Sequence, residues 1–280
     1  MTLRYPAVAD QFYPSEPTIL KNSIEDCFFH KLGPGKKPPS NEDLGKIIGL
    51  ISPHAGYMYS GPIAAHGYYA ISFLKNIDLI VIIGPNHWGL GSGVAAYPAG
   101  IWVTPLGKVE VDKNAAEQLV KVSKIVDFDD LAHKNEHSIE VQIPFLQYIF
   151  PKGFKILPIC MALQDKATSI EVGEALAEVV KDKNALLIAS SDFTHYESQD
   201  IALKKDLEAI KAICELNVDS FYEKIRKLDI SICGYGPIAT LITAAKKLNA
   251  SKGNLLKYAT SGDITGDISA VVGYASILIL

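Results

Sequence analysis

Apolar residues along this chain fall into short solid runs, separated by stretches in which they recur every three or four positions. KIIGLIS (46–52), DLIVIIG (78–84), FKILPIC (154–160) and ALLIAS (185–190) are continuous and rich in β-branched residues, the pattern of strands buried on both faces. Helical spacing fills 17–30, 61–75, 113–124, 167–181, 200–216, 220–228 and 237–248. Solid strands alternating with helices predict a parallel or mixed sheet covered on both sides. The expected fold is α/β, a three-layer sandwich with a central, largely parallel sheet.

Other stretches break this rhythm. Residues 1–16 place Tyr5, Phe12 and Tyr13 among turn formers and read as an extended arm packed on the body. Residues 32–46, LGPGKKPPSNEDLGK, read as an exposed loop. Residues 94–111 alternate briefly and predict small strands or a hairpin. The closing LLKYATS and ISAVVGYASILIL predict two antiparallel strands. Neither a repeat nor a linker divides the pattern, so residues 1–280 read as a single domain.

Composition narrows the picture. Of 280 residues, 48% are hydrophobic and 21% charged, so a sizeable core is expected and disorder is not. A net charge of −4 gives no basic field for nucleic acid or a membrane surface. Arg4 and Arg226 are the only arginines, which argues against a bidentate arginine cluster for phosphate. Cys27, Cys160, Cys214 and Cys233 form no CxxC pair and no disulfide framework. The first residues lack an apolar leader core, and the apolar run AVVGYASILIL is too short to cross a bilayer. A cytoplasmic protein is expected, and the N-terminal aromatics would suit a homodimer contact.

The candidate chemistry sits where three solid strands end. Polar clusters follow there: Ser52-Pro53-His54, Gly84-Pro85-Asn86-His87, and Ser190-Ser191-Asp192-Phe193-Thr194-His195. In open α/β sheets, ligand sites form outside the carboxyl ends of the strands. If these strands are parallel neighbours, His54, His87, Asp192 and His195 converge. Neutral imidazoles with a carboxylate suit iron, copper or zinc. His66, inside a helical stretch, and His30, at a helix end, are read as structural.

Two further segments carry chemistry. In HKNEHSIEVQIPFLQ (133–147), His137 and Glu140 have the spacing of one helical face, which suits a supporting place at the pocket edge. Asn135 and Ser138 fit simple capping equally well, and Pro144 must sit near a helix start or force a kink. Cys233 precedes a helical stretch in a glycine-rich context, where a helix N-terminus would lower its pKa. The phosphate-loop, HExxH and GxSxG patterns are missing, and GLGSG (89–93) is not a GxGxxG turn.

Taken together, ADQFYPS (9–15), PHAGYMYSG (53–61), GPNHWG (84–89), EHSIEVQIPF (136–145), SSDFTHYE (190–197) and CGYGPI (233–238) resemble the Memo family, from about residue 5 to the C-terminus. Members of that family resemble class III extradiol dioxygenases in fold. The resemblance implies that His54 and His87 are metal ligands and that His195 is the catalytic histidine. It places Cys233 where the dioxygenases use a glutamate, and Asp192 beside His195 or the metal. It also implies functional links to radical-SAM and AMMECR-type proteins.

Three readings follow. The pocket is a metal-dependent, dioxygenase-like redox site, with iron or copper favoured over zinc. Alternatively it is a non-enzymatic module that binds a peptide or small molecule. In the third reading Cys233 and a histidine perform metal-free thiol chemistry.

Overall fold

In the computed structural model, residues 2–40, 44 and 46–280 are described. The chain runs β1 (Leu3–Arg4), α1 (Pro17–Phe29), β2 (Gly49–Ser52), α2 (Tyr57–Ile71), β3 (Leu79–Pro85), β4 (Val94–Ala96), β5 (Ile101–Thr104), β6 (Gly107–Val111), α3 (Lys113–Val122), β7 (Asp127–Phe128), α4 (Gln142–Ile149), β8 (Lys155–Met161), α5 (Lys166–Val180), β9 (Ala185–Ser190), β10 (His195–Glu197), α6 (Gln199–Cys214), α7 (Val218–Leu228), α8 (Tyr235–Lys247), β11 (Gly253–Thr260), α9 (Ser261–Thr265) and β12 (Val271–Ile279).

The sheet order is β1-β5-β6-β8-β3-β9-β2-β12-β10, with β11 also on β12 and β4 on β8. The centre, β8-β3-β9-β2, is parallel. The flanking pairs β5–β6, β2–β12 and β11–β12 are antiparallel, so the sheet is mixed. Side chains alternate across each central strand. Leu79, Val81 and Ile83 of β3 join Leu157 and Ile159 of β8 on one face, under α3, α5, α6 and α8. Ile80 and Ile82 join Leu186, Ile188 and Leu50 on the other, under α1, α2 and α4. This two-sided burial is why the strands read as solid apolar runs, and it makes the three layers expected.

The sequence boundaries shift in informative places. Helix α2 begins at Tyr57 rather than near 61, because Gly56 serves as its N-cap and the polar PHAGYMYS stretch already turns into it. Pro62 lies inside it, buried. The segment carrying His137 and Glu140 is not helical: α4 starts only at Gln142, with Pro144 in its first turn, where a missing N–H costs nothing. Neither Asn135 nor Ser138 caps it; its N-cap is Val141, without a side-chain bond. The loop read at 32–46 lies partly outside the described residues, and at its described end Ser40 is buried, its N–H donating to Ser72 Oγ at 2.7 Å.

The N-terminal residues lie against the edge of the sheet. β1 adds parallel to the edge strand β5, pairing Leu3 with Ile101 and Arg4 with Trp102. Among the described residues, no helix is long and apolar enough to cross a membrane.

Candidate functional site

Because β3, β9 and β2 are adjacent and parallel, their carboxyl ends open on one edge. His54 follows β2, His87 follows β3, and Asp192 follows β9. Cys233 comes from a different layer, one residue before Gly234, the N-cap of α8. His137 comes from the turn before α4. All of these but Cys233 line one cavity of about 650 Å³ together with His195; Phe12, Tyr59, Tyr196 and Tyr274 are among its other lining residues.

The histidines are oriented by partners that fix their tautomers. His54 is buried, with Nδ1 2.9 Å from Ser190 Oγ. The Ser190 hydroxyl donates to Ser138 O at 2.6 Å, while Gln142 Nε2 donates to Ser190 Oγ at 2.7 Å. Ser190 Oγ is therefore an acceptor for His54, whose Nδ1 must carry the proton. The Nε2 lone pair then faces Cys233 Sγ, 3.2 Å away. His87 Nδ1 lies 2.8 Å from Glu136 Oε1, so it too carries its proton there and leaves Nε2 free. His195 Nδ1 lies 2.9 Å from Ser231 O, which only accepts, so its Nε2 is likewise a base.

Glu136 organises one side of the cavity. Besides the His87 ring, it accepts the N–H groups of His87 at 2.7 Å, His137 at 2.9 Å and Ser138 at 2.8 Å. Burial pushes its pKa up, but the bond from His87, the charges of His87 and His137 and the Ser138 N–H together bring it down to about 2. The His87 and His137 rings stack, with centroids 4.6 Å apart and planes 21° from parallel. Burial, with neighbouring histidine charges, holds His54 well below the usual imidazole range. Burial likewise brings His137 to about 4, against the pull of Glu136. Both are neutral at pH 7, the form in which imidazole binds metal.

Asp192 departs from one of its two expected places, and Cys233 from its expected pKa. Asp192 does not hold His195, which Ser231 orients. Its Oδ1 instead accepts the His54 N–H at 2.8 Å, and its own N–H donates to Cys233 Sγ at 3.2 Å. It thus ties the His54 loop to the cysteine. Burial raises its pKa to about 6, against the His54 N–H and the charges of His195 and His87. The thiol is not lowered by its helix. Burial and then the Asp192 carboxylate push Cys233 up, outweighing the Asp192 N–H and Ser191 hydroxyl.

Glu140 lies outside the cavity lining: it is buried against the N-terminal arm, paired with Arg4. His133 is fully buried, with Nε2 3.1 Å from Ala95 O, and His66 bonds Leu32 O at 2.9 Å. Glu136, Ser190 and Gln142 escaped the sequence reading, although Glu136 adjoins His137 and Ser190 opens the SSDFTH cluster.

The donor atoms of His54, His87 and Cys233 all lie within 4.8 Å of one another, as do those of His87, Glu136 and His137. Bonds of about 2.0–2.3 Å to a shared ion give separations of this order. The second trio is a poor ligand set, because Glu136 already accepts several N–H bonds. The first offers two oriented lone pairs and a thiol, a donor set that fits iron, copper or zinc.

Fold and site together define a three-layer α/β protein with a His/Cys pocket at the carboxyl edge of its sheet. A model for "Memo-like protein" matches residues 4–278. The chain is 53% identical over 287 residues to a MEMO1 family protein of Methanocaldococcus jannaschii, covering 99% of each. It is 50% identical over 277 residues to a MEMO1 family protein of Methanopyrus kandleri, covering 98% of each. The chain belongs to the Memo family. The crystal structure of an uncharacterized protein from Escherichia coli K12 shares the fold, with a TM-score of 0.54 and 15% identity, covering 84% of this chain and 100% of that one.

Proposed function

We propose that His54, His87 and Cys233 hold one transition-metal ion, iron or copper, and that the pocket is the site of a metal-dependent oxidoreductase acting on a small molecule. The observation that carries this reading is the tautomer set: Nδ1 of His54 and of His87 is committed to Ser190 and Glu136, leaving both Nε2 lone pairs free, that of His54 facing Cys233 Sγ. When bound, such an ion supplies Lewis acidity and one-electron redox chemistry. His195 serves as acid and base at Nε2, since Ser231 O holds the Nδ1 proton. Phe12, Tyr59 and Tyr196 shield the cavity and give the ligand apolar contact.

The test is metal content by mass spectrometry in protein purified anaerobically without a tag. About one iron or copper per chain is expected, lost in His87→Ala. Full metal content in that variant would sink the assignment.

The 3.2 Å contact between Cys233 Sγ and His54 Nε2 also supports a metal-free reading, with His54 as base for a thiol nucleophile. Metal-free protein would then alkylate at Cys233 with a pH midpoint below that of a free thiol. The raised Cys233 pKa speaks against this reading.

A further inference from the structure

The N-terminal arm reaches the site through one buried side chain. Arg4 lies in the edge strand β1, yet its residue is only 5% exposed. Its guanidinium lies 4.3 Å over the Trp102 ring. Nε and Nη2 donate to His133 O at 3.2 and 3.1 Å, and Nη2 also donates to Glu136 O at 2.6 Å. Nη1 pairs with Glu140 Oε2. Glu140 in turn accepts Ala7 N–H at 2.8 Å, Val8 N–H at 3.1 Å and the Tyr13 hydroxyl at 2.5 Å. Arg4 is thus bonded at both ends of the turn from 133 to 140.

That turn is the mount of the site. The carbonyl of Glu136 is held by Arg4, and the side chain of the same residue holds His87 by backbone and ring. The arm makes a second contact through Phe12, whose ring lies 4.7 Å from that of His137 and whose carbonyl accepts the Tyr57 N–H at the start of α2.

We infer that Arg4 is a positioning residue for the metal pocket, holding Glu136 so that His87 keeps its Nδ1–H tautomer and presents Nε2. The inference rests on the metal-centre reading for its consequence, but not for its geometry. Only a planar fork of N–H donors serves two carbonyls and a carboxylate together. Lysine keeps the charge opposite Glu140 but cannot span all three acceptors. The central strands β8-β3-β9-β2 do not pair with β1, so the sheet can persist when this fixation is lost.

The experiment uses two full-length variants. Arg4→Met combined with Glu140→Gln removes both charges, so neither is left buried and unpaired. Arg4→Lys keeps the ion pair and guards against misfolding of the first. Two quantities are measured beside the Tm. One is the His87 tautomer in metal-free protein, from ¹⁵N-edited imidazole spectra assigned with His87→Ala. The other is affinity for Co(II), followed by its ligand-field absorbance. With the Tm near that of the parent, we expect mixed His87 tautomers and Co(II) binding weakened about 10–100-fold. If both variants fold with the parent's His87 tautomer and Co(II) affinity, Arg4 only anchors the arm and the inference is overturned. If the parent binds no Co(II) while the variants still lose the tautomer, the metal reading fails and the positioning role stands.

Discussion

At the scale of single residues, the site is defined less by its donors than by what holds them. Glu136→Gln keeps the shape but leaves one acceptor oxygen where the carboxylate offered two. Metal affinity should fall about 10–100-fold with the fold intact, and equal affinity in the two proteins would remove Glu136 from the site. Cys233→Ser replaces a soft donor with a hard one, so a Co(II)-loaded sample should lose its thiolate charge-transfer band; a retained band would exclude Cys233 as ligand. The sequence made His54, His87, His195 and Cys233 legible because each is a scarce residue type beside a strand end or turn. It hid Glu136 and Ser190, because a glutamate and a serine in polar loops look ordinary until their bonds are seen. It misread Glu140, whose partners Arg4 and Tyr13 are more than a hundred positions away. It also misjudged the Cys233 thiol, since a helix N-terminus is visible in sequence but enclosure is not.

At the scale of elements, the site is the meeting of loops from both faces of the sheet. The approach of α8 is set by Gly234. A Cβ there would come within 2.6 Å of Ser190 O and 2.7 Å of Ser191 Cβ. Gly234→Ala should therefore displace the first turn of α8 and draw Cys233 away from His54. We expect a loss of about 1–3 kcal/mol by urea unfolding, with weaker Co(II) binding; unchanged values would show that the loop yields. The central strands were fully legible, because burial on both faces forces solid apolar runs. The segment 133–147 was not, because helical spacing of His137 and Glu140 is compatible with a turn that Pro144 delays from becoming a helix.

At the scale of the whole molecule, buried histidines couple stability to pH. Burial holds His133 to about 4 rather than 6.5, despite its bond to Ala95 O. Between those values the unfolded chain binds the proton more readily than the folded one. Stability is therefore complete above about pH 6.5 and falls as pH drops towards 4. The loss from His133 alone is about 3 kcal/mol. Urea midpoints of metal-free protein from pH 7 to 4.5 should show it, and His133→Gln, which keeps a donor for Ala95 O, should flatten the curve. An unaltered slope would count against His133 as the source. The three-layer architecture followed from the apolar pattern alone, whereas the interior place of β12 did not, because strand order leaves no mark on composition.

That place has a consequence for biosynthesis. His54 follows β2, and β2 is covered on one side by β12, the last strand in chain order. While the polypeptide emerges from the ribosome, β2 has a bare hydrogen-bonding edge, of the kind that recruits other chains. The edge closes, and the His54 loop acquires its final support, only after residues 271–279 are made. A growing chain can bury much of its core early, yet the pocket gains its full support only once β12 has been made, so a product cut short before Val271 would keep many of its central strands and carry an open, adhesive edge.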